Sequence, residues 1–226
     1  MFPIDERFRI LNNLTVMVVA GVTPSLIVTG PPGFGKSHSI LECIENSDLT
    51  KDDYIINKGY STPRGLYNCL YDNFDKLIIF DDCDSVLEDK VALNILKSAL
   101  DSYDERIITW MSKINKGDKY PPQFEFKGRI IFISNKSKSD IDEAILSRSL
   151  TVDLSMTFDE KIMRMTSILP NILPDYDIDI KKDALKFLKT LDDDTNINLR
   201  TLIMVIKMRS TFTDDWESMA KYMITG

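Results

Sequence analysis

The sequence predicts an α/β domain built on a parallel five-stranded sheet flanked by helices, followed by a small all-α domain. Two observations carry this. Short runs that are apolar throughout alternate with helical periodicity as far as Leu154, and such runs are the strands of a parallel sheet covered on both faces. Past Ser155 the strand signal stops and helical spacing takes over. The α/β domain is therefore assigned to residues 1–156 and the helical domain to 157–226. At 226 residues the chain can bury such a core without covalent staples.

The elements follow in order. Ile10 to Gly35 contains no charged residue, which raises a membrane span. Asn12, Asn13, Pro24 and Ser25 interrupt it, and the apolar part, Leu14 to Val22, is too short to cross. Met1–Arg9 is mixed in charge and no small-residue cleavage site follows, so a signal peptide is not indicated either. The reading is a buried helix, a turn and a strand at Leu26–Thr29, in a cytoplasmic chain with no membrane partner. Ser37–Glu45 predicts a helix, with Ile40, Leu41 and Ile44 on one face. Tyr54–Asn57 and Leu77–Phe80 predict strands. Leu87–Leu100 predicts one helix, with Val91, Ile95 and Ala99 spaced by four. Ile130–Ser134 predicts a strand, Ile141–Arg148 a helix and Leu150–Leu154 the fifth strand. Thr157 and Glu160 have capping-box spacing and open a helix that Pro170 and Pro174 end. Ala184–Leu191, Leu199–Met208 and Asp214–Ile224 continue the helical pattern.

Composition narrows the function. Acidic residues number 35 and basic ones 28, a net charge of −7, which argues against a surface coated for tracking nucleic-acid phosphates. A single histidine excludes a multi-histidine metal site. Cys43, Cys69 and Cys83 are odd in number and lack C-x-x-C spacing, so they read as reduced thiols.

One motif carries chemistry. Gly30-Pro31-Pro32-Gly33-Phe34-Gly35-Lys36-Ser37 fits the P-loop pattern G-x-x-x-x-G-K-[ST], between a strand and a helix. Its glycines let backbone N–H groups curl around phosphate oxygens, and the helix start adds its positive dipole end. Lys36 then reaches the β and γ phosphates of ATP, and the Ser37 hydroxyl ligates Mg²⁺. His38, next along, belongs to the same loop-and-helix set, although a histidine there is by itself a helix-surface residue. An acid at the carboxyl end of a buried strand beside this loop completes the Mg²⁺ shell, which assigns Asp81 as the metal carboxylate. Asp82 then orients or activates the attacking water.

In this arrangement the chain resembles the AAA+ ATPases over nearly its whole length, a family of P-loop NTPases with a helical lid. Asn135, ending the strand Ile133-Ser134-Asn135, resembles the sensor 1 position, which holds the catalytic water and reads the γ-phosphate. Ser147-Arg148-Ser149 is similar to the Ser-Arg-Cys signature of clamp-loader relatives. The resemblance makes Arg148 an arginine finger acting on a neighbour's ATP. Such a finger is worth about 10³- to 10⁵-fold in rate. Asn198-Leu199-Arg200 resembles sensor 2, with Arg200 reaching the nucleotide from the lid. These roles imply a homo-oligomeric ring of about five or six subunits. One departure stands out: the family usually has Asp-Glu where this chain has Asp81-Asp82, one methylene shorter, which leaves slow hydrolysis or a switch-like role open.

Two loops bear on the substrate. Lys58 to Gly65 reads as a glycine- and proline-rich turn, and Tyr60 within it stands where unfoldases carry a pore aromatic. Residues 107–127 read as a hairpin, Ile107–Trp110 against Phe124–Phe126, whose tip holds Lys113, Lys116 and Lys119. Those lysines would meet nucleic-acid phosphates, with Trp110 or Tyr120 stacking on a base. The expected function is an ATP-hydrolysing ring in DNA replication or handling, of a phage-like compact type. The alternatives are a protein remodeller gripping a polypeptide through Tyr60, and a weakly hydrolysing ATP-gated scaffold marked by Asp82.

Overall fold

The computed structural model describes residues 2–101, 105–110 and 119–226. They divide into two compact units: an α/β unit of Phe8–Gly30 with Lys36–Leu154, and a helical unit of Met1–Arg7, Pro31–Gly35 and Ser155–Gly226. Among the described residues no helix is long and apolar enough to cross a membrane.

The α/β unit holds most of α1 (Ile4–Val19), then β1 (Ser25–Thr29), α2 (Lys36–Glu45), β2 (Tyr54–Lys58), α3 (Pro63–Asp72), β3 (Leu77–Asp81), α4 (Ser85–Glu88) and α5 (Lys90–Ala99). A short antiparallel pair follows, β4 (Ile107–Thr109) with β5 (Gln123–Glu125), Ile108 opposite Phe124. Then come β6 (Arg129–Ile133), α6 (Glu143–Leu146) and β7 (Leu150–Asp153). The main sheet has five strands in the order β2-β3-β6-β1-β7, and every pairing is parallel. The innermost strands are the apolar ones: Leu26, Ile27 and Val28 of β1 and Ile78 of β3 are fully buried. One core gathers alternate residues of the sheet, Ile27, Ile78, Phe80, Ile130 and Phe132, with Leu66, Tyr67 and Leu70 of α3 and Ile95, Leu96 and Ala99 of α5. Phe80 and Phe132 are register partners whose rings stack at 4.8 Å.

Several elements depart from the sequence reading. The helix over Leu87–Leu100 is broken at Asp89. The Asp89 carboxylate accepts from the N–H groups of Val91 and Ala92 at 2.7 and 2.9 Å and starts α5 afresh. The buried stripe is then Ala92, Ile95, Leu96 and Ala99, and Val91 is 51% exposed. Of Ile141–Arg148 only Glu143–Leu146 is α-helical, because Asp142 caps it late; a 3₁₀ turn over Lys138–Asp140 precedes it. The turn read at Lys58–Gly65 gives way at Thr62 to α3. Thr62 caps that helix and Pro63 occupies its first turn, where a missing N–H costs nothing. Nor is α1 wholly buried: Ile4, Phe8, Leu11, Thr15 and Val18 form its inner stripe, and Val16 and Met17 are exposed.

The helical unit contains α7 (Phe158–Ile168), α8 (Ile178–Leu188), α9 (Leu199–Thr211) and α10 (Trp216–Thr225). The Thr157–Glu160 capping box forms. Glu160 also receives the Arg7 guanidinium at 2.5 Å, tying the start of α1 to α7. Phe187 and Trp216 meet edge to face at 5.6 Å, joining α8 to α10. Among the described residues no strand follows β7.

Candidate functional site

In the α/β unit, chemistry-bearing side chains gather at the carboxyl ends of the strands. The connection leaving β1 runs to β2 at one edge, and that leaving its neighbour β6 runs to β7 at the other. Adjacent strands whose connections diverge leave a crevice at their carboxyl ends, the usual ligand position in an open α/β sheet.

Gly30 follows β1 with φ of +136°, and a Cβ there would stand 2.8 Å from the Leu154 carbonyl carbon. A side chain would therefore collide with backbone, so the glycine is required. Lys36 begins α2 and is only 5% exposed. Its ammonium donates to the Gly30 carbonyl at 2.6 Å and to Asn135 Oδ1 at 2.8 Å. Burial pulls its pKa down to about 8, against the carboxylates of Asp82, Asp81 and Asp84, which act to raise it. The Asn135 amide nitrogen donates in turn to Asp82 Oδ1 at 2.6 Å. Ser37 Oγ donates to Asp81 Oδ1 at 2.8 Å, and Lys58 Nζ lies 3.1 Å from Asp81 Oδ2. Ser134 Oγ donates to Asp84 Oδ1 at 2.6 Å. Residues at or beyond the carboxyl ends of β1, β3 and β6 are thus brought together: Lys36, Ser37, Asp81, Asp82 and Asn135.

Asp82 has φ of +57°, and its N–H extends the sheet ladder to the Ile133 carbonyl at 3.1 Å. Aspartate tolerates this left-handed conformation better than most residues, which gives a local reason for its presence here. Burial pushes the neighbouring Cys83 thiol up to about 11, so it is no nucleophile at neutral pH. His38 is exposed on α2 and stays outside the network.

Ser37 and Asp81 together offer the oxygen donors that Mg²⁺ takes from a protein when phosphates and waters supply the rest. Among the described residues no group of three or more histidine, cysteine or acidic side chains forms a protein-only metal cage. A buried amine, a serine–aspartate pair and a glycine turn that excludes a Cβ suit a phosphate-bound metal.

The segment Pro31–Gly35 belongs with the helical unit. There the Leu199 N–H donates to the Gly33 carbonyl at 3.0 Å. Gly33 has φ of +78°, and a Cβ on it would stand 3.0 Å from Asn198 Cγ. Asn198 caps α9 by accepting from the N–H groups of Arg200 and Thr201 at 2.9 and 3.1 Å. The exposed Arg200 side chain therefore leaves the first turn of a helix that is fastened to the glycine loop.

Arg148 is not part of either cluster. It precedes β7 at the amino ends of the strands, where Ser25 Oγ donates to its carbonyl at 3.3 Å and its guanidinium donates to the Ala144 carbonyl at 2.8 Å. A five-residue strand spans about 15 Å, so Arg148 and Lys36 of one chain lie at opposite ends of the sheet. A cavity of about 720 Å³ also lies at this amino end, its lining including Arg106, Lys127, Arg129 and Arg148. Its charge is largely structural. Arg129 donates to the carbonyls of Val18 and Val19 ending α1, and Arg106 to those of Ala99 and Gly128. The cluster of Lys36, Ser37, Asp81, Asp82 and Asn135 lies at the other, carboxyl end.

Of the loop residues, Tyr60 is 81% exposed. Lys113 and Lys116 lie outside the described residues, and Lys119 pairs with Asp72 at 3.2 Å. Trp110 and Tyr120, read above as stacking residues, make contacts within the chain. Arg64 lies 5.3 and 5.7 Å from their ring centroids, Trp110 tilts against Tyr67 at 5.7 Å, and the Tyr120 hydroxyl donates to Asp72 at 2.9 Å. These rings anchor the β4–β5 pair on α3. Arg64 and Lys58 carry no motif. Their roles emerge only once α3 is seen to form and β2 is known to adjoin β3.

No family model matches the chain. It is similar to an uncharacterized 36.7 kDa protein from the nrdC–mobD intergenic region of Enterobacteria phage T4, 27% identical over 250 residues, an alignment covering 96% of this chain and 73% of that protein.

Proposed function

We propose that the chain is an AAA+-type, Mg²⁺-dependent ATPase that works as a homo-oligomer. The observation that carries this is the convergence of Lys36, Ser37, Asp81, Asp82 and Asn135 at the carboxyl ends of three parallel strands. The loop N–H groups and the start of α2 receive the phosphates, and Lys36 carries its charge to the β and γ oxygens. Ser37 and Asp81 hold Mg²⁺, which when bound neutralises charge on those oxygens. Asn135 turns from Lys36 and Asp82 to position the water. Asp82 takes a proton as the water oxygen bonds to the γ phosphorus and the bond to the ADP oxygen breaks. Arg148 serves the site of a neighbouring copy, since it cannot reach its own, and Arg200 reports from α9.

The similarity to a phage T4 protein is compatible with a phage protein in the cytoplasm of an infected cell, and the DNA-handling role is proposed from the AAA+ resemblance alone. The test is steady-state ATPase rate against protein concentration, with and without single-stranded DNA. Specific activity is expected to rise with concentration and again with DNA. A rate that needs assembly but ignores DNA points to the protein remodeller with Tyr60 as its grip.

The hydrogen bond from Asn135 that holds Asp82 favours a second reading, a weakly hydrolysing ATP-gated scaffold. On the ATPase reading, Asp82→Glu lowers turnover, because the longer carboxylate must be carried on a left-handed backbone suited to aspartate. A several-fold rise in turnover from Asp82→Glu, measured by phosphate release, would instead favour the scaffold.

A further inference from the structure

A second lysine, outside the glycine motif, stands at the proposed metal carboxylate. Lys58 is the last residue of β2 and the register neighbour of Asp81. Its ammonium lies 3.1 Å from Asp81 Oδ2, while Oδ1 accepts from Ser37. Both oxygens of this carboxylate are therefore engaged, one by a hydroxyl and one by a cation. A divalent ion bound to Asp81 would stand beside that ammonium, and two cations at contact distance repel. The partners differ in freedom: the Asp81 side chain is 8% exposed and that of Lys58 is 65% exposed. Lys58 can swing into water at little cost, and Asp81 cannot move. Lys36 cannot play the same part, because its ammonium is held by Gly30 and Asn135.

We propose that Lys58 is a stand-in cation: it neutralises Asp81 while the metal is absent and yields when Mg²⁺ arrives with nucleotide. It thereby sets the Mg²⁺ concentration at which nucleotide is held. This rests on the ATP-binding reading above.

The experiment is a Mg²⁺ titration of fluorescent ATP-analogue binding to the full chain, followed by polarisation, for the native protein, Lys58→Met and Lys58→Arg. An exposed ion pair is weak, so Lys58→Met is expected to lower the Mg²⁺ midpoint by about two- to five-fold. Affinity at saturating Mg²⁺ stays unchanged, and Lys58→Arg, which keeps the charge, stays near the native midpoint. An unchanged midpoint in Lys58→Met overturns the inference while leaving nucleotide binding intact. So does weaker binding at saturating Mg²⁺, which would make Lys58 a phosphate ligand. If the native protein binds no analogue at any Mg²⁺ concentration, the ATP reading itself fails and this inference goes with it.

Discussion

Arg148→Ala protein is expected to bind ATP within about two-fold of the native affinity and to lose turnover by about 10³-fold or more. The reason is placement. Arg148 lies at the amino ends of the strands and Lys36 beyond the carboxyl ends, so a guanidinium at residue 148 can act on phosphate only in another copy. Charge builds on the γ-phosphate oxygens in the transition state, and a neighbour's arginine neutralises it there and not in the ground state. Mixing makes the test specific. Arg148→Ala alone and Lys36→Met alone should both be inactive. Together they should recover part of the rate, because some interfaces then join an intact Lys36 site to an intact Arg148. Absence of recovery, with Arg148→Ala retaining near-native turnover, would reduce this arginine to a cation closing a short helix.

Lys36→Met is expected to weaken ATP binding by about 10²-fold or more, since a charge-assisted contact to phosphate is lost. Its effect on the ligand-free protein has the opposite sign. The Lys36 ammonium has an ordinary value of 10.5 and is brought to about 8 by burial. Between these values the unfolded chain holds a proton that the folded chain has released. Stability from this group is therefore complete above pH 10.5 and lost as pH falls through 8. Below that it costs about 3 kcal/mol. Methionine removes this cost but leaves the Gly30 carbonyl and Asn135 Oδ1 without their donor, at about 1 kcal/mol each. The net expectation is a gain of about 1 kcal/mol at pH 7, reversing by pH 10, read by urea unfolding of both proteins at the two values. A variant less stable than the native protein at pH 7, by a margin that does not change with pH, would show that Lys36 is not strained in the resting fold.

Much of the fold was legible because parallel strands in a covered sheet are apolar on both faces, so β1, β3 and β6 announce themselves in Leu26–Thr29, Leu77–Phe80 and Ile130–Ser134. Gly30–Ser37 and Asp81 read as following or ending apolar strands, and in the structure Ser37 and Asp81 meet at 2.8 Å beside those strand ends. What escaped depended on local capping or on sheet order. Asp89 cuts a continuous apolar periodicity with a side-chain hydrogen bond, and Thr62-Pro63 opens a helix inside what reads as a turn. Lys58 meets Asp81 only because β2 pairs with β3, and no spacing along the chain encodes that. The packing of Trp110 and Tyr120 beside Arg64 of α3 likewise depends on a helix that reads as a turn along the sequence.

The close approach of Gly33 to Asn198 has a consequence for how this sequence can drift. The two positions lie far apart in the chain yet share one space, and the amide that caps α9 fills the room a side chain at residue 33 would need. Enlarging the first requires shrinking the second, which removes the cap and loosens the helix carrying Arg200. A side chain at residue 33 is thus penalised twice, once by its left-handed backbone and once by crowding the amide that caps α9. The two positions, far apart along the chain, are coupled through the one space they share.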